Sequence, residues 1–124
     1  MRIIFCTTPP AKAEEIARKL LDERLIACAN IVPNLHSLYW WKGKIETAGE
    51  SLLIMKTRNK QVAAAMRRIQ SLHPYEVPEI VAVPVDSAHG PYAEWVRDMT
   101  RAPYRAAGEP AAPKPVRKAS RRGK

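Results

Sequence analysis

Cys6 and His73 are the two residues of this 124-residue chain whose side chains best suit a metal ion. A thiolate and an imidazole are the ligands that soft or borderline ions such as copper and zinc prefer. Cys6 ends an apolar run and His73 ends a helical pattern, so the fold is able to bring the two together. The structural alternative is that Cys6 is a small buried hydrophobe and that His73 terminates its helix with a hydrogen bond to a carbonyl. Both interpretations stay open from the residue types alone.

The remaining reactive side chains form no catalytic pattern. Glu76 and Glu79 either form a carboxylate pair or face solvent, and solvent is the favoured interpretation. Cys28 is a weaker candidate ligand than Cys6. Neither a Ser-His-Asp triad nor a Cys-His pair with an orienting acid can be argued, and the sequence contains no glycine-rich phosphate loop and no CxxC or HExxH motif. These residues therefore predict neither an enzyme nor an organic cofactor.

The net charge of +9 is distributed unevenly along the chain. Residues 101–124 hold eight Lys or Arg and one acid, so residues 1–100 are close to balance at +2. The end of the chain is rich in Ala and Pro and has little to bury, which predicts a domain over 1–104 and a disordered basic tail over 105–124. Nucleic acid is not expected as a partner, except through this tail.

The cysteines and the apolar runs limit the location of the protein. Two cysteines are too few for a disulfide scaffold. The apolar run after Arg2 stops at Cys6, too soon for a signal peptide, and no run approaches the roughly twenty residues of a membrane span. We expect reduced thiols in a cytoplasmic protein with no membrane partner.

The hydrophobic periodicity predicts the element order β-α-β-β-α-β followed by a C-terminal helix. The first helix starts at Pro9-Pro10, the second at Asn59 as its N-cap, and the third at Gly90-Pro91. The apolar run Ile80–Val83 predicts a last strand buried on both faces. Right-handed crossovers then give an α+β fold, a ferredoxin-like antiparallel sheet with both crossover helices on one face. The opposite face has only the short third helix to cover it, which favours oligomerisation.

The second and third strands form a hairpin of roughly thirty residues, several times the usual strand length. Lys42-Gly43 is its predicted turn. Pro33-Asn34 predicts a bulge or a bend in the first strand of the hairpin, because proline has no amide to donate to the ladder. Ala48-Gly49 predicts a second irregularity.

The aromatic residues Tyr39, Trp40 and Trp41 lie near the hairpin turn. Successive residues point to alternate faces of a strand, so at least one of the three needs a surface outside the hairpin. We favour an interface with another copy over a core, because Trp and Tyr are enriched at interface centres. Glu46 and Lys56 either line a cleft between subunits or merely pair across the ladder.

Several motifs in register make the chain similar to the CutA family of divalent-cation tolerance proteins. They span about residues 2–100 and include Cys6-Thr7-Thr8, the segment 27–31, the segment 37–46, the segment 50–57 and His73-Pro74-Tyr75-Glu76-Val77-Pro78-Glu79-Ile80. The resemblance implies a homotrimer whose long hairpins build intersubunit sheets, as in the PII signalling proteins.

The same resemblance implies a role in tolerance of copper and other divalent cations, without an established enzymatic activity. It implies that Cys6 and His73 are copper ligands, with Leu72 at a position where some relatives have a second histidine. The alternative is a PII-like module that binds a small ligand or a partner protein in the clefts between its subunits.

Overall fold

The computed structural model describes residues 1–101, which form four strands, three α-helices and one short 3₁₀ turn. The predicted domain end at residue 104 and the predicted tail over 105–124 lie outside these residues. The elements follow in the order β1 (Arg2–Thr8), α1 (Pro10–Asp22), β2 (Cys28–Trp41), β3 (Lys44–Thr57), a 3₁₀ turn (Asn59–Gln61), α2 (Val62–Leu72), β4 (Ile80–Pro84) and α3 (Gly90–Met99).

The four strands form one antiparallel sheet in the order β2-β3-β1-β4. Both crossover helices pack on one face, because Ile4, Leu53 and Met55 of the sheet share a fully buried cluster with residues of α1 and α2. This arrangement confirms the predicted α+β fold with ferredoxin-like topology.

Helix α1 is amphipathic as its sequence predicts. Pro10 is tolerated at its start because the first amides of a helix have no internal partner. Ile16 and Leu20 are completely buried, and burial of such a side chain contributes about 1.5–3 kcal/mol to folding. The end of α1 is tied to α2 by a bidentate ion pair in which Arg68 Nε and Nη2 each lie 2.9 Å from a Glu23 carboxylate oxygen.

The predicted cap of the second helix is wrong in detail. Asn59 lies inside the 3₁₀ turn that precedes α2, and Arg58 flanks that turn without a side-chain cap. Each end of a helix leaves backbone groups unpaired, and a 3₁₀ turn is one way to satisfy them. The turn thus replaces the asparagine cap that the sequence suggested.

Helix α3 packs on the opposite face of the sheet, where the Tyr92 hydroxyl lies 3.3 Å from Cys28 Sγ. Its C-terminus is held by Gln61, whose Nε2 donates to the Thr100 carbonyl over 2.7 Å. It does not cover β4: Val81 is 46% exposed and Val83 is 38% exposed. The prediction that this strand is buried on both faces is therefore wrong for the single chain, because α3 leaves the face of Val81 and Val83 uncovered.

The long hairpin extends beyond the rest of the sheet. Strand β1 pairs with β3 only over residues 51–57, so residues 44–50 have no paired strand on that side within the described residues. Lys42 and Gly43 form the tight turn, both with positive φ, at 51° and 78°. The register shifts between Val32 and Leu35, which confirms the bulge at Pro33-Asn34. The register is unbroken at Ala48-Gly49, so the second predicted irregularity is absent.

Candidate functional site

Cys6 lies on β1, one of the two inner strands of the sheet, and its side chain faces α1 and α2. It is paired with Leu53 on one side and with Ile80 on the other, and none of its surface is exposed. Its Sγ is 3.6 Å from the carbonyl oxygen of Thr7. Burial raises the pKa of the Cys6 thiol from 9.0 to about 12, and the charges of Glu79 and Glu50 contribute to that rise. The side chain is therefore a neutral thiol at physiological pH.

His73 ends α2 and lies at the same place. Its amide donates to the Ile69 carbonyl over 2.8 Å, and its ring is buried. Ring Nε2 lies 2.8 Å from the Thr7 carbonyl oxygen, while ring Nδ1 accepts the Tyr75 amide over 3.1 Å. The two residues that the sequence selected as metal ligands therefore meet at one atom, the carbonyl oxygen of Thr7.

Polar residues lie around this pair, and of these the sequence singled out only Glu79. Glu50 is buried, being only 7% exposed, and its Oε2 accepts the Tyr75 hydroxyl over 2.8 Å. Thr7 Oγ1 donates to Glu79 Oε1 over 3.4 Å. The pKa of Tyr75 is raised to about 12, chiefly by desolvation and secondly by the hydrogen bond to Glu50. No local pattern marks Glu50 as part of the site, since its hydrogen-bond partner Tyr75 lies after α2.

Glu76 and Glu79 do not form a carboxylate pair in the described contacts. Both are exposed, as the favoured interpretation predicted, although Glu79 also accepts the bond from Thr7.

The donor set at this place fits part of a site for a soft divalent cation. The thiol and the imidazole both lie near the Thr7 carbonyl oxygen, and they are the types of ligand that copper and zinc prefer. Within residues 1–101, however, no group of three or more His, Cys, Asp or Glu side chains is arranged to hold a metal ion. Cys6 and His73 thus supply two candidate donors, and the remaining positions of a metal site would fall to water or to groups outside the described residues.

The two cysteines differ in environment in a way that chemical modification can measure. We expect Cys28 to react with iodoacetamide well before Cys6 in the native protein at about pH 8, because the thiolate is the reactive form and Cys6 is a buried thiol of raised pKa. Timed alkylation followed by peptide mass spectrometry measures both rates. In urea both cysteines should react at similar rates, and similar rates in the native protein would contradict the burial of Cys6.

The hairpin aromatics are exposed in the single chain. Trp40 is 72% exposed and pairs with Ile45, and this face of the hairpin also carries Leu38, 62% exposed. Tyr39 and Trp41 occupy the other face, at 45% and 58% exposure. The predicted alternation of faces is therefore present, and both faces carry uncovered aromatic surface.

Glu46 and Lys56 lie far apart on β3. Glu46 is exposed and stands opposite Tyr39 near the tip. Lys56 stands near the base, where its Nζ donates to the Asn30 side chain across the ladder. Within one chain, Lys56 thus bonds to Asn30 on the neighbouring strand, whereas the Glu46 side chain is exposed to solvent.

These features define a class of protein: a small α+β domain with ferredoxin-like topology, an overhanging hairpin, and a thiol–imidazole pair at the end of its central strand. The profile of the CutA1 divalent ion tolerance proteins matches residues 2–99. The chain belongs to this family.

Known relatives agree with that assignment. Human protein CutA is 46% identical over 97 residues, which are 77% of this chain and 54% of the human protein. The divalent cation tolerance protein of Thermus thermophilus is 41% identical with a TM-score of 0.79, over 82% of this chain and 100% of that structure. The periplasmic divalent cation tolerance protein CutA of Archaeoglobus fulgidus is 36% identical, also with a TM-score of 0.79, over 82% and 100%. The chain spans about half the length of the mammalian relatives that it matches.

The predicted cytoplasmic location stays a prediction. The helices of residues 1–101 are all too short or too polar to cross a membrane. One structural relative is described as periplasmic and a rice relative as chloroplastic.

Proposed function

We propose that this protein binds a divalent metal ion, copper foremost, through Cys6 and His73, and that it serves in metal tolerance as a homotrimer without catalysis. The observation that carries the proposal is the convergence of the two side chains on the Thr7 carbonyl. The family's description as divalent-ion tolerance proteins supports a cation as the ligand.

The charges around Cys6 favour a cation. Glu79 and Glu50 disfavour a bare thiolate at Cys6, and the same negative charges favour a positive ion beside it. Coordination by Cys6 would require its thiol proton to be released to solvent, because the thiolate is the form that coordinates. Cys6 and His73 would hold the ion, and the ion would act as bound cargo rather than as a reagent.

The surface of the single chain supports assembly. The hairpin exposes Leu38, Trp40 and Ile45 on one face, and residues 44–50 of β3 have an open edge within the described chain. Exposed apolar surface of this kind marks protein interfaces, and open strand edges pair readily with another chain. A second and third copy of this chain are the occupants that we propose.

Metal titration tests the ligand assignment. In isothermal titration with zinc, and with copper under anaerobic conditions, we expect the wild-type protein to bind and Cys6→Ala and His73→Ala to lose at least about tenfold in affinity. Loss of an outer-shell partner alone typically costs about 10–100-fold, so loss of a ligand should cost no less.

The chain provides a matched control in its other cysteine. Cys28 is on the opposite face of the sheet, beside Tyr92, so Cys28→Ala should bind metal as the wild type does. Equal uptake by the wild type, Cys6→Ala and His73→Ala would remove the metal assignment.

A further inference from the structure

The basic tail carries most of the net positive charge of the chain. Residues 105–124 contain seven Lys or Arg and one acid, and six of these cations fall within residues 114–124, where no acid is present. The family profile ends at residue 99, so the tail adds its charge to a domain that is otherwise close to balance. The tail, and not the domain, is therefore the part of the chain suited to bind a polyanion.

The point at which the chain leaves the domain is fixed by side chains of the domain. Helix α3 ends at Met99, and Arg24 Nη1 donates to the Met99 carbonyl over 3.4 Å. Arg58 Nη2 donates to the Thr100 carbonyl over 3.3 Å, and Gln61 Nε2 donates to the same oxygen. The chain therefore continues toward the tail from an anchored position beside two further cations.

Four acids of the domain already pair with its own Lys or Arg side chains. The pairs are Lys12–Glu15, Arg18–Glu14, Arg68–Glu23 and Arg101–Asp98. A tail cation that bound one of these acids would leave a domain cation unpaired, so the number of paired charges would not rise. The cations of the tail are thus better satisfied by a partner outside the chain.

We propose that the basic tail binds double-stranded nucleic acid through its phosphates, without preference for base sequence. Duplex DNA carries one negative charge per about 1.7 Å of its axis, and each phosphate neutralised by Lys or Arg releases condensed counterions. Three of the six cations within residues 114–124 are arginines, whose planar guanidinium bonds phosphate in pairs. This binding depends neither on the metal site nor on the trimer.

The composition of the tail favours a duplex over a single strand or a membrane. Proteins that bind single strands stack the bases on aromatic side chains, and residues 105–124 contain no Phe, Tyr or Trp. An interfacial helix buries Trp, Phe or Leu in the bilayer, whereas the largest apolar residue of the tail is Val116. Phosphate contacts alone remain, and these suit the high charge density of a duplex.

Fluorescence anisotropy with the full chain and a labelled DNA duplex of about 20 base pairs tests the proposal. We expect micromolar or tighter binding at about 50 mM salt and a loss of about a thousandfold in affinity by about 200 mM, as for six phosphate contacts. A second duplex of unrelated sequence should bind equally, because phosphate contacts carry no sequence information.

Removing four cations of the tail should reduce the salt dependence. The variant combines Arg117→Gln, Lys118→Gln, Arg121→Gln and Arg122→Gln. The slope of log affinity against log salt should become shallower by about 3.6, since each lost contact accounts for about 0.9. All four positions lie outside the described domain, so the trimer proposed above and its zinc binding should be unchanged.

A matched control removes the same charge from the helices. It combines Lys12→Gln, Arg18→Gln, Lys19→Gln and Arg67→Gln on α1 and α2. This variant has the same net charge as the tail variant and should keep the wild-type slope. An equal loss of binding in both variants would show that net charge governs binding, and it would overturn the assignment to the tail.

Two further outcomes would overturn the proposal. One is the absence of duplex binding by the wild type at about 50 mM salt. The other is tighter binding to vesicles of phosphatidylserine and phosphatidylcholine than to the duplex at equal phosphate concentration, which would assign the tail to a membrane surface. Neither outcome bears on zinc binding, so this inference and the proposed function are tested separately.

Discussion

Replacing Leu38, Trp40 and Ile45 together with threonine is expected to convert the proposed trimer into a monomer. These three side chains form one apolar face of the overhanging hairpin and are 60–72% exposed in the single chain. Truncation of a tryptophan at an interface centre typically costs about 2 kcal/mol or more, and a symmetric trimer incurs that cost in every subunit. Threonine keeps the preference for a strand, so the hairpin itself should persist.

Light scattering coupled to size exclusion measures this effect. The wild type should have three times the 13.9 kDa mass of the chain, and the triple variant should have the mass of one chain. Leu21→Ala on α1 is a matched control, because Leu21 is also an exposed large apolar residue but lies outside the hairpin. A wild-type monomer, or a triple variant that stays trimeric, would contradict the proposed interface. The pair Tyr39→Thr and Trp41→Thr shows whether the other face contributes.

The largest expected effect of pH is a loss of folding stability in alkaline solution that depends on Cys6. Below pH 9.0 both the folded and the unfolded chain hold the thiol proton. Above it the unfolded chain releases the proton, whereas the folded chain keeps it until pH about 12 because the thiol is buried. The free energy of unfolding should therefore fall by about 1.4 kcal/mol per pH unit through this window.

Urea unfolding at about pH 8 and about pH 10.5 measures this loss, and Cys6 alone should account for about 2 kcal/mol of it. Tyrosines and lysines also titrate in this range, so the difference between the wild type and Cys6→Ala is the quantity to compare. Cys6→Ala should be less stable at about pH 8 because it leaves a cavity, and its stability should then fall less with pH. Cys28→Ala should follow the wild type. An equal decline in all three proteins would show that the Cys6 thiol is not protected by the fold.

Part of the architecture could be predicted because it follows from local pattern. The buried face of α1 and the turn at Lys42-Gly43 follow from spacing and backbone preference, and both are present. The bulge at Pro33-Asn34 follows from the missing proline amide. The burial of β4 could not be predicted in this way: Ile80–Val83 is apolar throughout, and only the packing of α3 decides that one of its faces stays exposed.

The candidate site shows the same division. Cys6 and His73 could be selected by residue type, because a thiol and an imidazole are recognisable ligands wherever they lie. Glu50 and Tyr75 could not, because a glutamate in a strand and a tyrosine after a helix are ordinary until the fold sets them 2.8 Å apart. The tautomer of His73 depends on two backbone groups, the Tyr75 amide and the Thr7 carbonyl, the second of which is far away along the chain.

The sequence by itself determined the elements, their order, the long hairpin and the two candidate ligands, since periodicity, turn chemistry and residue type act over a few neighbouring residues. Only the tertiary structure decided that Cys6 is a buried thiol of raised pKa and that both candidate ligands meet at the Thr7 carbonyl. It also decided that the hairpin faces lie open. These properties depend on desolvation and on contacts between distant segments, which exist only after β1, β3 and the end of α2 have packed together.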